Sequence, residues 1–598
     1  MDAISPENGR VIFPSCYGQE RNLKALSLIN LTHRPIIFGL ILSFLSCFSS
    51  YSSYGFHEVD WSENAQLPGG LARENIYGLS ESIFLDTIED GREHAYRWPV
   101  DVTGLLIPYR PFSQFLNEDY NNPLRRWASR LSKTIVPFKN TSELFDWMGL
   151  LPYSKESKER LYLFNGPLVR QYEESPSGVS FIERKGALGL TFGCVSCHSG
   201  QFLGRTVVGL NNKRSRANQF FIMAKKVVPL VNSSFFKMTT KADEEERRMY
   251  FLARENLRAV GGVSPEVLGL DTSLAHVALS LARRNQDSLA TKSSYYENNP
   301  RKHPLESFPS SSRPMPWWNL KYKTRWLSDG SLVSGNPILT NFLWNEIGRG
   351  TDLKELEDWT KENKSVVQNL TAFIFSLKAP HWTDFFPAAT LNLSKAKRGE
   401  KIFKKSCQGC HGRYEKNWSD PSYDSGNLSG LFKTKAVYYP KKTRVMDVGT
   451  DEKRWKAMKY LAPDIMRLGF SKRTGSTLRP QKGYVPPPLE GLFLRYPYFH
   501  NNSIPNLCAL MEREDRRPKF FIQGPSLNEE TDYDKDCVGY PIGDKIPPSW
   551  YQDKEAFYST NRPGLSSKGH AKVFYDRDGK SKLSSDEKSD LREFLKTL

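Results

Sequence analysis

The stretch Ser394-Lys-Ala-Lys-Arg-Gly-Glu-Lys-Ile-Phe403-Lys-Lys-Ser-Cys407-Gln-Gly-Cys410-His411-Gly412 decides how this chain is read, because it runs into Cys-x-x-Cys-His, the attachment signature of c-type haem. A second copy stands upstream as Cys194-Val-Ser-Cys197-His198. Thiols three positions apart can form thioethers to the two vinyl groups of one porphyrin, while the adjacent histidine is held beneath the ring to ligate its iron. With 8 cysteines and 10 histidines in 598 residues, chance places about 0.002 such pentapeptides in the chain, and two are present. A zinc site would need two further ligands beside each pair, and a disulfide across two residues would not require the trailing histidine. The residues therefore predict two covalently bound haem c groups, one on Cys194 and Cys197 with His198 and one on Cys407 and Cys410 with His411.

Helical patterning surrounds both motifs. Phe403 lies four residues before Cys407, on the same helical face, in the way small cytochromes c begin. At the far end Ser584 and Glu587 form a capping box, and Leu591, Phe594, Leu595 and Leu598 make one apolar stripe. Such a pair of terminal helices brackets the haem of a cytochrome c domain, which places a second haem domain at 386–598. Val366, Leu370, Phe373, Ile374 and Leu377 repeat at helical spacing before Pro380 and close a first haem domain at 151–385. Within the first domain Ser293 to Pro316, dense in Ser, Pro and basic residues, reads as a long surface loop, and before it 51–150 reads as an irregular N-terminal extension. The expected fold is mainly α, with two cytochrome c-like haem domains, long irregular loops and that extension. No internal repeat beyond the haem motifs is visible.

Residues 1–50 read as a signal peptide or N-terminal anchor. Ile36 to Phe48 is an uncharged apolar run preceded by Arg34, too short for a comfortable membrane span and suited to the core of an export signal. Phe44-Leu45-Ser46-Cys47 loosely matches a lipobox, so a lipidated Cys47 is a second route to membrane attachment. Haem thioethers are made outside the bacterial cytoplasm, so the expected location is periplasmic or otherwise outside the cytoplasmic membrane. That compartment permits disulfides, and Cys508 and Cys537 are the candidate pair. The net charge of +18 is spread along the chain, with no basic arm, zinc finger or helix-turn-helix pattern that would indicate nucleic acid. It describes a solvated basic surface or one that docks an acidic electron-transfer partner.

Pro486-Pro-Pro-Leu-Glu-Gly-Leu-Phe-Leu-Arg495-Tyr-Pro497-Tyr-Phe-His500-Asn-Asn-Ser503-Ile-Pro505 resembles the signature downstream of the second haem in di-haem cytochrome c peroxidases and MauG-like proteins. Gly209-Leu-Asn-Asn, Pro316-Trp-Trp318, Val448-Gly-Thr-Asp451 and Gly569-His570 are similar to the large rubber-oxygenase-like (RoxA-like) branch. Asn502 stands where the usual motif has glycine. The resemblance implies one six-coordinate haem that relays electrons and one with an open face where peroxide or dioxygen binds. His198 would then hold the reactive iron. His570 is the candidate sixth ligand of the second haem, with His500 in its pocket as alternative ligand or hydrogen-bonding group, a methionine ligand still open, and Arg495 a candidate partner for a propionate. His57, His94, His276, His303 and His381 read as structural. Trp317, Trp318, Trp326 and Trp344 are candidates for the wall of the first pocket, which would suit peroxide, dioxygen or a small hydrophobic substrate. An exported redox protein would be the electron donor. A pure electron carrier with two six-coordinate haems and a haem-based redox or gas sensor are the competing readings.

Overall fold

Seven helices position the haem motifs in a computed structural model that describes residues 56–117, 122–151, 176–424 and 426–598. They are α1 (Glu81–Tyr96), α2 (Ser273–Leu281), α3 (Pro337–Gly348), α4 (Lys364–Ser376), α5 (Leu393–Ser406), α6 (Lys453–Arg467) and α7 (Ser585–Lys596). Residues 1–50, read above as a signal peptide or anchor and holding Cys16, His33 and Cys47, lie outside the described residues. Among the described residues no helix is long and apolar enough to cross a membrane.

Two helix pairs cross at glycines. In α5 a Cβ on Gly399 would sit 1.9 Å from the Asp590 carbonyl oxygen of α7, so only glycine lets the two backbones approach this closely. Phe403 and Phe594 then meet with centroids 5.1 Å apart, and Arg398 grips Asp590 through two 2.7 Å bonds. The Ser584–Glu587 capping box forms at the start of α7. The second pair repeats the device: a Cβ on Gly91 of α1 would fall 2.0 Å from the Asn369 oxygen of α4.

Helix α1 lies inside the segment read as an irregular extension, and residues 51–150 are therefore not wholly irregular. Its inward face is Thr87, Gly91, Arg92, Ala95 and Tyr96, so small and polar residues occupy the positions where an apolar stripe would have announced a helix. The Ser293–Pro316 stretch, expected at the surface, carries one five-residue helix (Ser294–Asn298), but its far end turns inward: Ser310 is buried and Arg313 lines a cavity.

Short antiparallel strands flank each motif. Strands β1 (Ile107–Pro108), β2 (Val179–Arg184) and β3 (Ala187–Phe192) form a sheet in the order β1-β3-β2, and the first motif follows β3 directly. The hairpin β4 (Ser199–Phe202) and β5 (Arg205–Val208) follows it, with Ser199 opposite Val208. After the second motif β6 (Arg413–Lys416) pairs with β7 (Thr434–Tyr438). One apolar core, with members from Leu67 to Leu598, runs through both expected haem domains. A smaller one gathers residues from Leu105 to Val260.

Candidate haem sites

The first motif is stitched into place by its downstream hairpin. Asn212 donates from Nδ2 to the Ser196 carbonyl (3.0 Å) and from its backbone to the Cys197 carbonyl (2.9 Å). Gly209 N–H bonds the His198 carbonyl (2.8 Å), and Trp317 N–H bonds the Gly209 carbonyl (2.9 Å). That ladder lays the Trp317 ring on His198, centroids 4.8 Å apart and 25° from parallel. Burial pushes the His198 imidazole down to about 4, opposed by the Met315 backbone, so the ring is neutral and keeps a lone pair for a metal. Cys194, Cys197 and His198 all line a cavity of about 310 Å³. Trp317, Trp326 and Trp344 contribute to its wall, with Phe342, Ile338 and Ile374; Trp318 does not. His276 also lines it, held by Gly348 O at 2.8 Å from Nε2.

The second motif follows α5 without a break, Cys407 N–H still bonding the Phe403 carbonyl (2.8 Å). Its histidine is oriented by the proline-rich strap: His411 Nδ1 bonds the Pro487 carbonyl at 2.9 Å, which leaves Nε2 free to coordinate. The whole strap is tied down residue by residue. Tyr439 hydroxyl donates to Pro486 O, Arg495 to Pro488 O (2.5 Å), Trp318 Nε1 to Glu490 O (3.0 Å), and Leu489 N–H donates to the Tyr414 hydroxyl (2.6 Å). Tyr414 in turn donates to the His411 carbonyl (2.9 Å).

His570 faces His411 with ring centroids 6.2 Å apart. Its own backbone is left-handed (φ 63°), preceded by Gly569 at φ 95°, and its N–H bonds the Val448 carbonyl (2.8 Å). Arg517, buried, donates to the Ser567 and Gly569 carbonyls (2.9 Å for the latter) and clamps the loop. Burial, then the proximity of His411 and Arg517, pushes the His570 imidazole down to about 3. Phe499 and Phe574 close the sides, with centroids 6.3 and 5.9 Å from the His570 ring.

His500 sits apart from that pair. Its ring stacks on Tyr484 at 3.8 Å, burial and then Arg454 and Arg313 push it well below the usual range, and Arg313 N–H bonds its carbonyl (2.8 Å). Arg313 and Arg454 belong to the wall of the first cavity. The neighbouring Phe499, with φ 69°, turns toward His570 instead. Arg495 is buried beside His411 and is pushed down to about 10 by that burial. Two of the remaining histidines carry structural contacts: His303 lies 3.5 Å from Asp464, and His381 caps the turn that ends at Asp384.

These residues fit haem c. The four motif thiols are free, while Cys508 and Cys537 are joined with Cα atoms 5.0 Å apart. Among the described residues no cluster of three or more His, Cys, Asp or Glu side chains surrounds either Cys pair, so the extra ligands a zinc site needs are missing. Burial pushes Cys194 and Cys407 up to about 12, which holds both as neutral thiols. Sequence reasoning did not pick out Asn212, Tyr414 or Arg517, which orient the motifs; only Asn212 carried a signal, within Gly209-Leu-Asn-Asn.

Residues 483–522, which hold the strap, Arg495 and His500, match the family described as RoxA-like, cytochrome c-like. The match makes this segment part of a cytochrome c-like domain, and such a domain implies haem c and a haem-based redox protein. The chain is also similar to two proteins of Sinorhizobium fredii. It is 36% identical over 119 residues to "Uncharacterized protein y4iJ", covering 19% of this chain and 18% of that protein. With "Uncharacterized protein y4iM" it is 26% identical over 250 residues, 35% of this chain and 49% of that protein. The chain thus spans about half of one relative and about a fifth of the other.

Proposed function

We propose that this chain is an exported di-haem c-type oxidoreductase in which His198 serves a reactive haem open to peroxide, dioxygen or a small hydrophobic substrate, and His411 with His570 holds a closed haem that relays electrons. The observation that carries the reading is the inequality of the two histidines. Two imidazoles that would hold one iron between them must bring their rings close while leaving room for the metal. His411 and His570 are separated by 6.2 Å. His198 instead lines, with Cys194 and Cys197, a 310 Å³ cavity that would receive its own haem, and the other histidine in that wall, His276, is held at Nε2 by Gly348.

When bound, haem would supply one-electron redox chemistry and, at the site of His198, a binding point for peroxide or dioxygen. The chain's own residues do the rest. Trp317 covers one side of His198, and the apolar wall of Phe342, Ile338, Ile374, Trp326 and Trp344 excludes water and accommodates a hydrophobic guest. Trp317 and Trp318 are consecutive, the first stacked on His198 and the second bonded to the strap that holds His411, so one covalent step joins the surroundings of both sites.

The second site lies nearer the surface. Gly409 is exposed among Lys404, Lys405, Lys441, Lys442 and Arg444, all exposed, which favours an acidic exported redox protein as donor. The Cys508–Cys537 disulfide supports an oxidising compartment.

Absorption and EPR spectra of the purified ferric protein, followed by carbon monoxide after reduction, test the proposal. One high-spin iron that binds carbon monoxide, and loses that signal in His198→Ala, is the expected result. Two low-spin irons that ignore the ligand would leave only an electron carrier. Consumption of peroxide or dioxygen with turnover then separates an enzyme from a sensor.

A further inference from the structure

Three buried cations and one half-buried one lie without a carboxylate partner near the two sites. Lys213 is 7% exposed, Lys323 2% and Arg495 2%, and Arg313 lines the first cavity. Among the described residues none of the four has an acidic side chain within ion-pairing distance, whereas the comparably buried Lys321 and Arg454 are matched by Glu74 (2.8 Å) and Asp329 (3.1 Å). Lys213 Nζ has no hydrogen-bond partner and hangs 3.2 Å over the Tyr496 ring. Lys323 Nζ reaches only Met315 Sδ at 3.5 Å, and Arg495 Nε is unbonded. Arg313 spends its Nη1 on the carbonyls of Arg495 (2.5 Å) and Pro497 (2.7 Å). Glu490 is the carboxylate whose charge acts on Arg495, but no ion pair joins the two side chains, and Glu490 bonds Tyr322 instead.

The four are one group, not four accidents. Burial and then the charge of Arg495 push Arg313 down to about 9 and Lys323 to about 7; Arg313 in turn acts on Lys213. Tyr498 feels the charge of both Arg313 and Arg495. The group touches both haem sites. Arg495 stands beside His411, while Arg313 and Met315 line the cavity of His198. Desolvated like charges with no counter-ion are strongly unfavourable, so this cluster calls for buried anions. Resting on the di-haem reading above, we infer that Lys213, Arg313, Lys323 and Arg495 form a shared seat for the propionate carboxylates of both haems, so that the two redox centres draw on the same counter-charges. Each haem brings two propionates, which matches the cations available.

A shared seat links the potentials of both irons. In holoprotein carrying Lys323→Met or Arg495→Met, removing a positive charge disfavours the reduced iron, and spectroelectrochemical titration should show both potentials falling. The expected shift in each reduction equilibrium is at least about tenfold, or about 59 mV for a one-electron couple. Arg495→Lys, which keeps the charge, should return most of it. A shift confined to one haem, or to neither, overturns the shared seat. A small inorganic anion is the other source of this chemistry. Wild-type potentials that change when chloride replaces phosphate at fixed ionic strength would assign the seat to such an ion and overturn the propionate reading. Intact mass separates the two levels of the argument: protein lacking two added groups of about 616 Da refutes the di-haem reading, whereas two attached haems with unlinked potentials refute only the seat.

Discussion

Replacing Gly569 by alanine tests the second site without removing any ligand. A Cβ built there would lie 2.3 Å from the Thr450 nitrogen and 2.5 Å from the Gly449 carbonyl carbon, against 3.4 Å or more for an ordinary contact. The clash is with backbone, which cannot rotate aside, and the φ of 95° adds strain of about 1–3 kcal/mol for any L side chain. Relief requires the 569–570 backbone to retreat by about 1 Å, taking the His570 ring with it. A metal–nitrogen bond of about 2.0 Å does not survive an extension of half its length. Purified ferric Gly569→Ala should therefore show a second iron converted from low-spin to high-spin, with a spectrum like that of His570→Ala and with first-haem signals unchanged. EPR with parallel absorption spectra reads this directly, and intact mass confirms that both haems remain attached. A Gly569→Ala protein whose second iron stays low-spin would refute the anchoring argument. Low-spin character that persists in His570→Ala would show that another residue is the sixth ligand.

Further outcomes follow from the same geometry. Burial depresses His276 to about 4 against an unfolded value near 6.5, so the folded state binds fewer protons in that interval. Its stability contribution is intact above pH 6.5 and declines by about 3 kcal/mol as pH falls to 4; urea denaturation of wild type and His276→Gln at pH 7 and pH 4 should differ by that amount, and equal pH dependence would contradict it. Cys508 and Cys537, 29 residues apart in sequence, close a loop whose cross-link is worth up to about 3.5 kcal/mol by chain entropy. The double alanine variant should unfold at correspondingly lower denaturant. Asp329→Ala leaves Arg454 buried and unpaired, an expected loss of about 3–5 kcal/mol, and a denaturation midpoint unchanged from wild type would show that solvent reaches the pair.

Much of the chemistry was legible because it is local. Covalent haem attachment needs two thiols and an imidazole within five residues, so its signal survives in one dimension. The cytochrome c-like character follows from those strings and from the strap at 486–505, which the family match over 483–522 independently supports. Helices α4, α5 and α7 were readable for the same reason: apolar stripes, caps and a terminating Pro380 are short-range patterns. Helix α1 escaped because its packing face is made of Thr87, Gly91, Arg92 and Ala95, whose inward orientation is set by the close approach of α4.

What stands opposite each histidine was decided only in three dimensions. His570 is 159 positions beyond His411 in the sequence, and only its resemblance to a family motif, not any local pattern of ligation, set it ahead of His500, 70 positions nearer. The left-handed turn at Gly569 and His570, clamped by Arg517 and the Val448 carbonyl, brings one imidazole to 6.2 Å from His411. One residue past Phe499, the chain instead turns His500 onto Tyr484. Sequence by itself determined which atoms can bind haem, since bond-forming groups must be neighbours along the chain. Tertiary packing alone decided which motif histidine meets a second imidazole, which lines a cavity, and where the unmatched cations gather, because burial and counter-charge depend on residues hundreds of positions apart.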